Sequence, residues 1–240
     1  MLHPLQGKRV LITGGVRRLG RAFALALASQ GADVAVTTRT LNAEANALVR
    51  KLQQQGVRAC ALGCDVTAPV QVSEAVSQAV ELLGGLDILI NNAGVFEAER
   101  LQDLSLQQWD AMYATNTRGP FLVAQAALPH LRTAHGRIIN IGSLGGLKPW
   151  ATHGHYCASK AALHMLSATM AKAWAPEVSV NCVAPGMIVF PGETQRLAGK
   201  TPMQRDGSPD DVVSAVLFFA AAPKFITGQV LAVDGGLSLM

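Results

Sequence analysis

The feature that most constrains this 240-residue chain is a repeated alternation of short apolar runs with helix-length stretches. Strand-like runs read at Arg9–Ile12, Asp33–Thr38, Val57–Cys64, Leu86–Asn91, Gly136–Ile141, Val178–Val183 and Gln229–Val233. Leu86–Asn91 has the unbroken apolar character expected of a parallel strand covered on both faces. Between these runs lie helical patterns. One begins at Arg21, one covers Asn42–Gln55 before Gly56, and Pro69–Leu83 carries Val72, Val76, Ala79, Val80 and Leu83 on one face before Gly84-Gly85. Further helices are expected at about 106–115, 118–133 and 154–174. Ser208-Pro209-Asp210-Asp211 supplies an N-cap, a first-turn proline and acids favourable to the helix dipole, opening a helix to about Ala221. Repeated β-α units imply right-handed crossovers. The expected fold is therefore α/β, a single doubly wound (Rossmann-type) domain over 1–240 with a mostly parallel seven-stranded sheet. Pro185–Gly207 is the longest irregular stretch, and a short mobile flap is expected at about 187–207.

Composition narrows the class of partner. Half the residues are apolar and 15% are charged, yet no run reaches the roughly 18 to 20 apolar residues of a spanning helix. Met1–Gly7 leads almost directly into the first strand, so no signal peptide, no membrane and a cytoplasmic location are expected. Cys60, Cys64, Cys157 and Cys182 form no C-x-x-C pair and read as reduced thiols, with no metal site. A net charge of +4, mild and scattered, suits a phosphorylated small ligand better than nucleic acid.

In doubly wound sheets ligands bind beyond the carboxyl ends of the strands. The segment after the first strand, Thr13–Gly20, reads T-G-G-V-R-R-L-G. A strand, a tight glycine turn and a helix N-terminus leave orphan N–H groups and the positive dipole end facing an anion. Arg18 stands where a dinucleotide turn normally carries another glycine, and Arg17 adds a second cation. About 20 residues on, a carboxylate would accept from a ribose 2′-hydroxyl. Here the strand tip carries Thr38, Arg39 and Thr40. Two guanidiniums and hydroxyls without an opposing carboxylate favour NADPH over NADH. Asp65, followed by Val66, ends the third strand, where a carboxylate can accept from the adenine amino group; a lone Asp there also serves as a turn former.

Of the later motifs, Asn91-Asn92-Ala93-Gly94 ends the fourth strand, Asn116 sits mid-helix, Ser143 follows the fifth strand, Tyr156-Cys157-Ala158-Ser159-Lys160 begins the long helix and Pro185-Gly186 ends the sixth strand. Tyr156 and Lys160 are one helical turn apart on one face. A nearby ammonium favours a phenolate and is expected to lower the tyrosine's pKa toward working pH. Together with T-G-x-x-x-x-x-G, these motifs resemble the short-chain dehydrogenase/reductase family over essentially the full length. The resemblance implies a small-molecule carbonyl substrate. Tyr156 would protonate the carbonyl oxygen as hydride arrives from the nicotinamide, and Ser143 would hydrogen-bond that oxygen. Lys160 would hold the nicotinamide ribose, and Asn116 would anchor a water that relays protons to Lys160. Gly14, Arg17, Arg18, Leu19, Thr38, Arg39, Thr40, Asp65, Val66, Asn92, Ala93, Gly94, Pro185, Gly186 and Ile188 would line the cofactor with Tyr156 and Lys160.

Arg18 departs from the usual T-G-x-x-x-G-x-G and resembles the pteridine reductase branch, whose members use NADPH. Phe96 matches that branch's pterin-stacking aromatic. Gly94 and Ser143 follow the ordinary pattern instead, and the A-V-D-G-G ending at Ala232–Gly236 is similar to 3-oxoacyl-carrier-protein reductases. Phe96, Trp150, Met187 and Phe190 are candidate pocket walls beside Ser143. His153 and His155 read as pocket-edge or solvated. The resemblance thus implies an NADPH-dependent carbonyl reductase acting on a 3-oxoacyl thioester, which could be carrier-protein-linked, or a similar ketone. A pteridine or dihydropterin reductase is the second reading, and a non-catalytic NADPH-sensing regulator the third. Family members commonly form tetramers, so a homotetramer (or homodimer) is expected through helices 106–133 and 154–174. In the latter, Ala161, Ala162, Leu163, Met165, Leu166 and Met170 offer apolar surface.

Overall fold

The computed structural model describes residues 4–240; Met1–His3, on which part of the N-terminal expectation rests, lie outside the described residues. Strands β1 (Arg9–Ile12), β2 (Asp33–Thr38), β3 (Ala59–Gly63), β4 (Ile88–Asn91), β5 (Arg137–Ile141), β6 (Ser179–Pro185) and β7 (Val230–Val233) form one sheet. Their order is β3-β2-β1-β4-β5-β6-β7 and every pairing is parallel. The expected fold is what is found, with the sheet wholly rather than mostly parallel. Strand order reverses between β1 and β4, the crevice where such sheets bind ligands.

Helices α1 (Arg18–Ser29), α2 (Ala43–Gln53), α3 (Pro69–Leu83), α4 (Leu106–Tyr113), α5 (Gly119–Thr133), α6 (Gly154–Ala173) and α7 (Pro209–Ala221) cover the two faces. Side chains alternate across each strand. Val10, Ile12, Val34, Val36, Ile88 and Ile90 pack on Phe23, Leu27, Leu48, Val212 and Phe219 from α1, α2 and α7. Leu11, Ala35, Leu89, Ile138 and Val180 pack oppositely on Val72, Val76, Val123, Leu131 and Met170 from α3, α5 and α6. On α3 the buried face is Val72, Ala75, Val76, Ala79 and Leu83, with Val80 at its edge, and Gly84 ends the helix at φ 77°. Ser208–Asp211 opens α7 as read from sequence, and Ser208 and Asp211 are in addition joined in a capping box.

Two elements differ from expectation. α1 begins at Arg18 rather than Arg21, so both arginines of the turn stand at the helix entrance. The break expected between 115 and 118 is a π-helical turn, Ala114–Arg118, joining α4 to α5 without a loop. Pro120 has no N–H to give the carbonyl four residues earlier, and the Gly119 amide bonds to Ala114 five residues back. Asn116 is carried on this turn. The 187–207 stretch holds one short 3-10 turn, Ala198–Lys200. Its base is closed where Ile188 pairs with Gly207, and Asp206 accepts hydrogen bonds from the Arg196 and Leu197 amides within it.

Candidate active site

The glycine turn after β1 is locked to the end of β4. Thr13 Oγ1 accepts from the amides of Asn92 and Ala93, each at 3.0 Å. Asn92 Nδ2 donates to the carbonyls of Thr13 and Gly14, both at 2.9 Å. The amide of Asn92 therefore builds the turn and is not free for a ligand. Gly14 sits at φ 59°, and a Cβ on Gly20 would collide with the Gly14 carbonyl and lie 2.7 Å from Asn92 Nδ2. A Cβ on Gly15 would lie 2.6 Å from Val36 Cγ1. α1 has no side-chain N-cap and no acid in its first turn, whereas α2, α4 and α7 do carry side-chain caps. Its orphan amides and dipole end are thus left for an anion, and these residues fit the pyrophosphate of a dinucleotide.

The flanking cations are not free in the way the sequence suggested. Arg17 Nε bonds Glu44 Oε2 at 2.7 Å, across to the first turn of α2. The carboxylate missing from the tip of β2 is thus supplied a few residues later. Arg18 adopts φ 47°, the left-handed region that explains the usual glycine. Its guanidinium bonds Glu193 at 2.8 Å and stacks 4.0 Å over Phe190, so Phe190 stands with the turn and the flap. Arg39 and Thr40 are exposed, and Thr38 Oγ1 donates to the Thr40 carbonyl. Asp65 Oδ1 accepts from the Thr67 amide and hydroxyl, which hold its carboxyl below the usual range; Asp65 is a turn former here. Val66 is buried against Gly119, and Leu19 and Ile188 pack on the core rim. Gly186 donates to the Val233 carbonyl at the end of β6, and the Met187 carbonyl accepts from Gly207 at the flap base.

Across the crevice, α6 presents Tyr156 and Lys160 on one face. Lys160 is 5% exposed, and its Nζ donates to the Ile141 carbonyl at 2.8 Å. Burial brings its pKa down to about 8. Tyr156 moves the other way from the sequence expectation. Burial raises its pKa, the Ser143 hydroxyl beside it opposes that rise, and the Lys160 nitrogen is 6.0 Å from the ring centre. The ammonium points to the β5 carbonyl, not the phenol, so desolvation wins.

Ser143 follows β5. Its Oγ accepts from the Gly145 amide at 3.0 Å, which leaves the hydroxyl hydrogen available to donate outward. Asn116 is fully buried, and its side chain is committed to Val95, accepting from that amide at 2.9 Å and donating to its carbonyl at 3.0 Å. It also donates to Ser159 Oγ. The expected water anchor is therefore not its side-chain amide. The main-chain carbonyl, released by Pro120 from its ordinary helical partner, is the group still suited to that task.

An aromatic wall surrounds Tyr156. Phe96 meets it edge-on at 4.8 Å, and Trp150 lies parallel at 6.1 Å. His153 stacks on Phe96 at 4.7 Å, a pocket-edge position as expected. His155 is instead fully buried with no hydrogen-bond partner on either nitrogen, because it lies on the inward face of α6 with Ser159. Sequence reasoning missed four contributors: Glu44, Glu193, Asn140 and His164. Asn140 accepts from Asn91 at 2.9 Å and donates to Ser167 Oγ at 2.8 Å, a buried polar bridge from β4 through β5 to α6. Its signal was an amide inside an apolar strand; that of His164 was its place four residues after Lys160.

A parallel sheet with a glycine turn at its first crossover, and titratable groups across the point where strand order reverses, has the architecture of a nucleotide-dependent enzyme. The pattern of the family described as short chain dehydrogenase matches residues 8–200, and the chain belongs to that family. It is thereby an oxidoreductase. It is 34% identical to the 3-oxoacyl-[acyl-carrier-protein] reductase of Staphylococcus epidermidis, covering 96% of this chain and 98% of that one. A blue fluorescent protein from a metagenomic library, solved with NADPH, superposes with a TM-score of 0.91 at 36% identity, covering 98% of this chain and 99% of that one. An NADH-dependent reductase responsible for alginate metabolism superposes equally well, TM-score 0.91 at 33% identity, covering 98% of each chain.

Proposed function

We propose that the protein is an NADPH-dependent carbonyl reductase acting on a 3-oxoacyl thioester or a similar small ketone. The observation that carries this reading is the meeting of Ser143, Tyr156 and buried Lys160 under an aromatic wall, opposite an uncapped helix N-terminus. The residues of the glycine turn and Lys160 would hold a nicotinamide dinucleotide, which when bound would supply the hydride. Ser143, with its oxygen already accepting from Gly145, donates its hydroxyl hydrogen to the carbonyl oxygen and orients it. Tyr156 stays protonated because burial raises its pKa, so it is a proton donor through the neutral range. Lys160, buried one helical turn from Tyr156 and donating to the Ile141 carbonyl, would hold a ribose hydroxyl of the cofactor, and it reaches the Tyr156 hydroxyl only through such an intervening group. Phe96 and Trp150 supply an apolar wall beside the Tyr156 ring, on the side where the carbonyl substrate would lie.

Preference for NADPH rests on Arg39, exposed at the tip of β2 beside Thr38 and Thr40, now that Arg17 has Glu44 as a partner. The 34% identity to a 3-oxoacyl reductase supports a thioester substrate. The pterin reading keeps one specific support, the exposed face of Phe96 beside Tyr156. A panel of acetoacetyl thioesters, small ketones and dihydrobiopterin, assayed with NADPH and NADH, tests these assignments. Turnover of the thioester with NADPH, and its loss of about 10³-fold or more in Tyr156→Phe, is expected. Undiminished turnover in Tyr156→Phe refutes the chemistry, equal efficiency with NADH refutes the cofactor, and dihydrobiopterin turnover alone establishes the second reading.

A further inference from the structure

The segment 142–146 is wrapped around an imidazole. A Cβ on Gly142 would collide with His164 Nε2, and one on Gly146 would lie 2.8 Å from His164 Nδ1. The ring thus fills a slot that only two glycines, one on each side of Ser143, leave open. Within it, the Ser143 amide donates to His164 Nε2 at 3.3 Å. The Ser143 carbonyl accepts from the Gly146 amide, and its Oγ from the Gly145 amide. His164 is therefore the group that fixes the remaining polar atom of the Ser143 main chain.

An acceptor at Nε2 places the ring proton on Nδ1, which is buried against the Gly146 backbone and makes no well-formed hydrogen bond there. A buried unpaired donor is costly, and an aliphatic side chain of similar size would avoid that cost. Packing therefore does not account for the imidazole, whereas its acceptor does. Lys160 lies one turn back on α6, so a protonated ring would meet a like charge and would aim a second donor at the Ser143 amide.

The geometry points to His164 as a positioning residue for Ser143: as a neutral ring it holds the serine main chain so that the hydroxyl faces the carbonyl oxygen. This rests on the role given to Ser143 above. It acts without touching substrate, on a hydroxyl whose misplacement by about 1 Å costs on the order of 100-fold in turnover.

The test uses His164→Leu, which removes the acceptor, and His164→Gln, which restores one, each alone and in Ser143→Ala. Acetoacetyl thioester and NADPH are the probes. The expected result is a kcat lowered about 10- to 100-fold in His164→Leu, with the KM for NADPH within about twofold and substantial recovery in His164→Gln. In the Ser143→Ala background His164→Leu costs no more than about twofold further, since the two act as a unit. Parental kcat in His164→Leu, or the same fold loss with and without Ser143, overturns the inference. Amide exchange of 142–146 provides a readout that needs no turnover. Faster exchange in His164→Leu than in His164→Gln supports the positioning, and unchanged exchange overturns it. If Ser143→Ala alone leaves turnover intact, the role of Ser143 fails, and the exchange result still decides what His164 holds.

Discussion

The buried imidazole of His164 makes the stability of the whole domain depend on mildly acid pH. The side chain is 7% exposed. Burial first, and then the Lys160 charge, bring its pKa from 6.5 down to about 4, against a smaller upward pull from Gly146. Between those values the unfolded chain binds a proton that the folded chain refuses. Stability contributed by the neutral ring is therefore complete above about pH 6.5, declines as pH falls, and has been lost by about pH 4. At about 1.4 kcal/mol per tenfold, the full change is about 3 kcal/mol, of which about 2 kcal/mol is lost by pH 5. Urea unfolding at pH 7.5 and pH 5.0, run on the parent and on His164→Gln, isolates this contribution because the amide does not titrate. The parent should lose about 2 kcal/mol more than the variant between the two conditions. All other histidines are common to both proteins and cancel. Equal losses would show that the ring is hydrated or protonated in the folded state, and the slot between Gly142 and Gly146 would then be wrongly described.

Five further perturbations follow from particular contacts. Asp87 is mostly buried at the far end of the sheet, and the Arg9 side chain and amide hold its carboxyl low against the upward push of burial. Asp87→Ala should cost about 2 kcal/mol in urea unfolding at pH 7, because the Arg9 amide and its partly exposed guanidinium lose their shared acceptor; a loss below about 0.5 kcal/mol counts against the pair. Glu44→Gln frees Arg17, and the NADPH-over-NADH ratio of kcat/KM should rise several-fold; Arg39→Asp should lower it by at least tenfold, and no change in either refutes the arginine argument. Gly20→Ala should abolish NADPH binding in fluorescence titration while the protein still folds, since the added methyl enters the glycine turn. Arg18→Gly relieves a left-handed residue worth about 1 kcal/mol, at the cost of glycine's extra backbone freedom, and removes an exposed ion pair that solvent screens. Its unfolding free energy should hardly move while exchange across 187–207 quickens; a slower or unaltered flap contradicts the Arg18–Glu193 contact.

Much of the fold was legible because its signals are local. The unbroken buried runs of β1 and β2, the stripe on α3 and the N-cap, proline and acids that open α7 are each written within one element. The π turn was not legible, since Pro120 reads equally as the first turn of a new helix and as a missing donor inside a continuous one. The site divides in the same way. Tyr156, Lys160, Ser143 and the glycine turn announce themselves by spacing, and the structure brings them to one crevice. What they do electrostatically depends on partners outside the motif, as far apart as Arg18 and Glu193 at 175 positions. The Tyr156 pKa rises because its neighbourhood is dry, and Lys160 is turned to Ile141.

The arginines of the glycine turn show why spacing is not enough for cofactor choice. Read along the chain, Arg17 and Arg18 are two cations aimed at a phosphate. Folded, each has a carboxylate within 2.8 Å, one from α2 and one from the flap. A dinucleotide phosphate must therefore compete with Glu44 or Glu193 for each guanidinium, and both pairs are exposed enough that the competition is weakly opposed. Only Arg39 has no such rival within ion-pair distance among the described residues. The consequence is an asymmetry that kinetics can read: loss of Arg39 should act on discrimination between the two cofactors, whereas loss of Arg18 should act equally on both, because the contact it breaks belongs to the flap and not to the adenosine ribose.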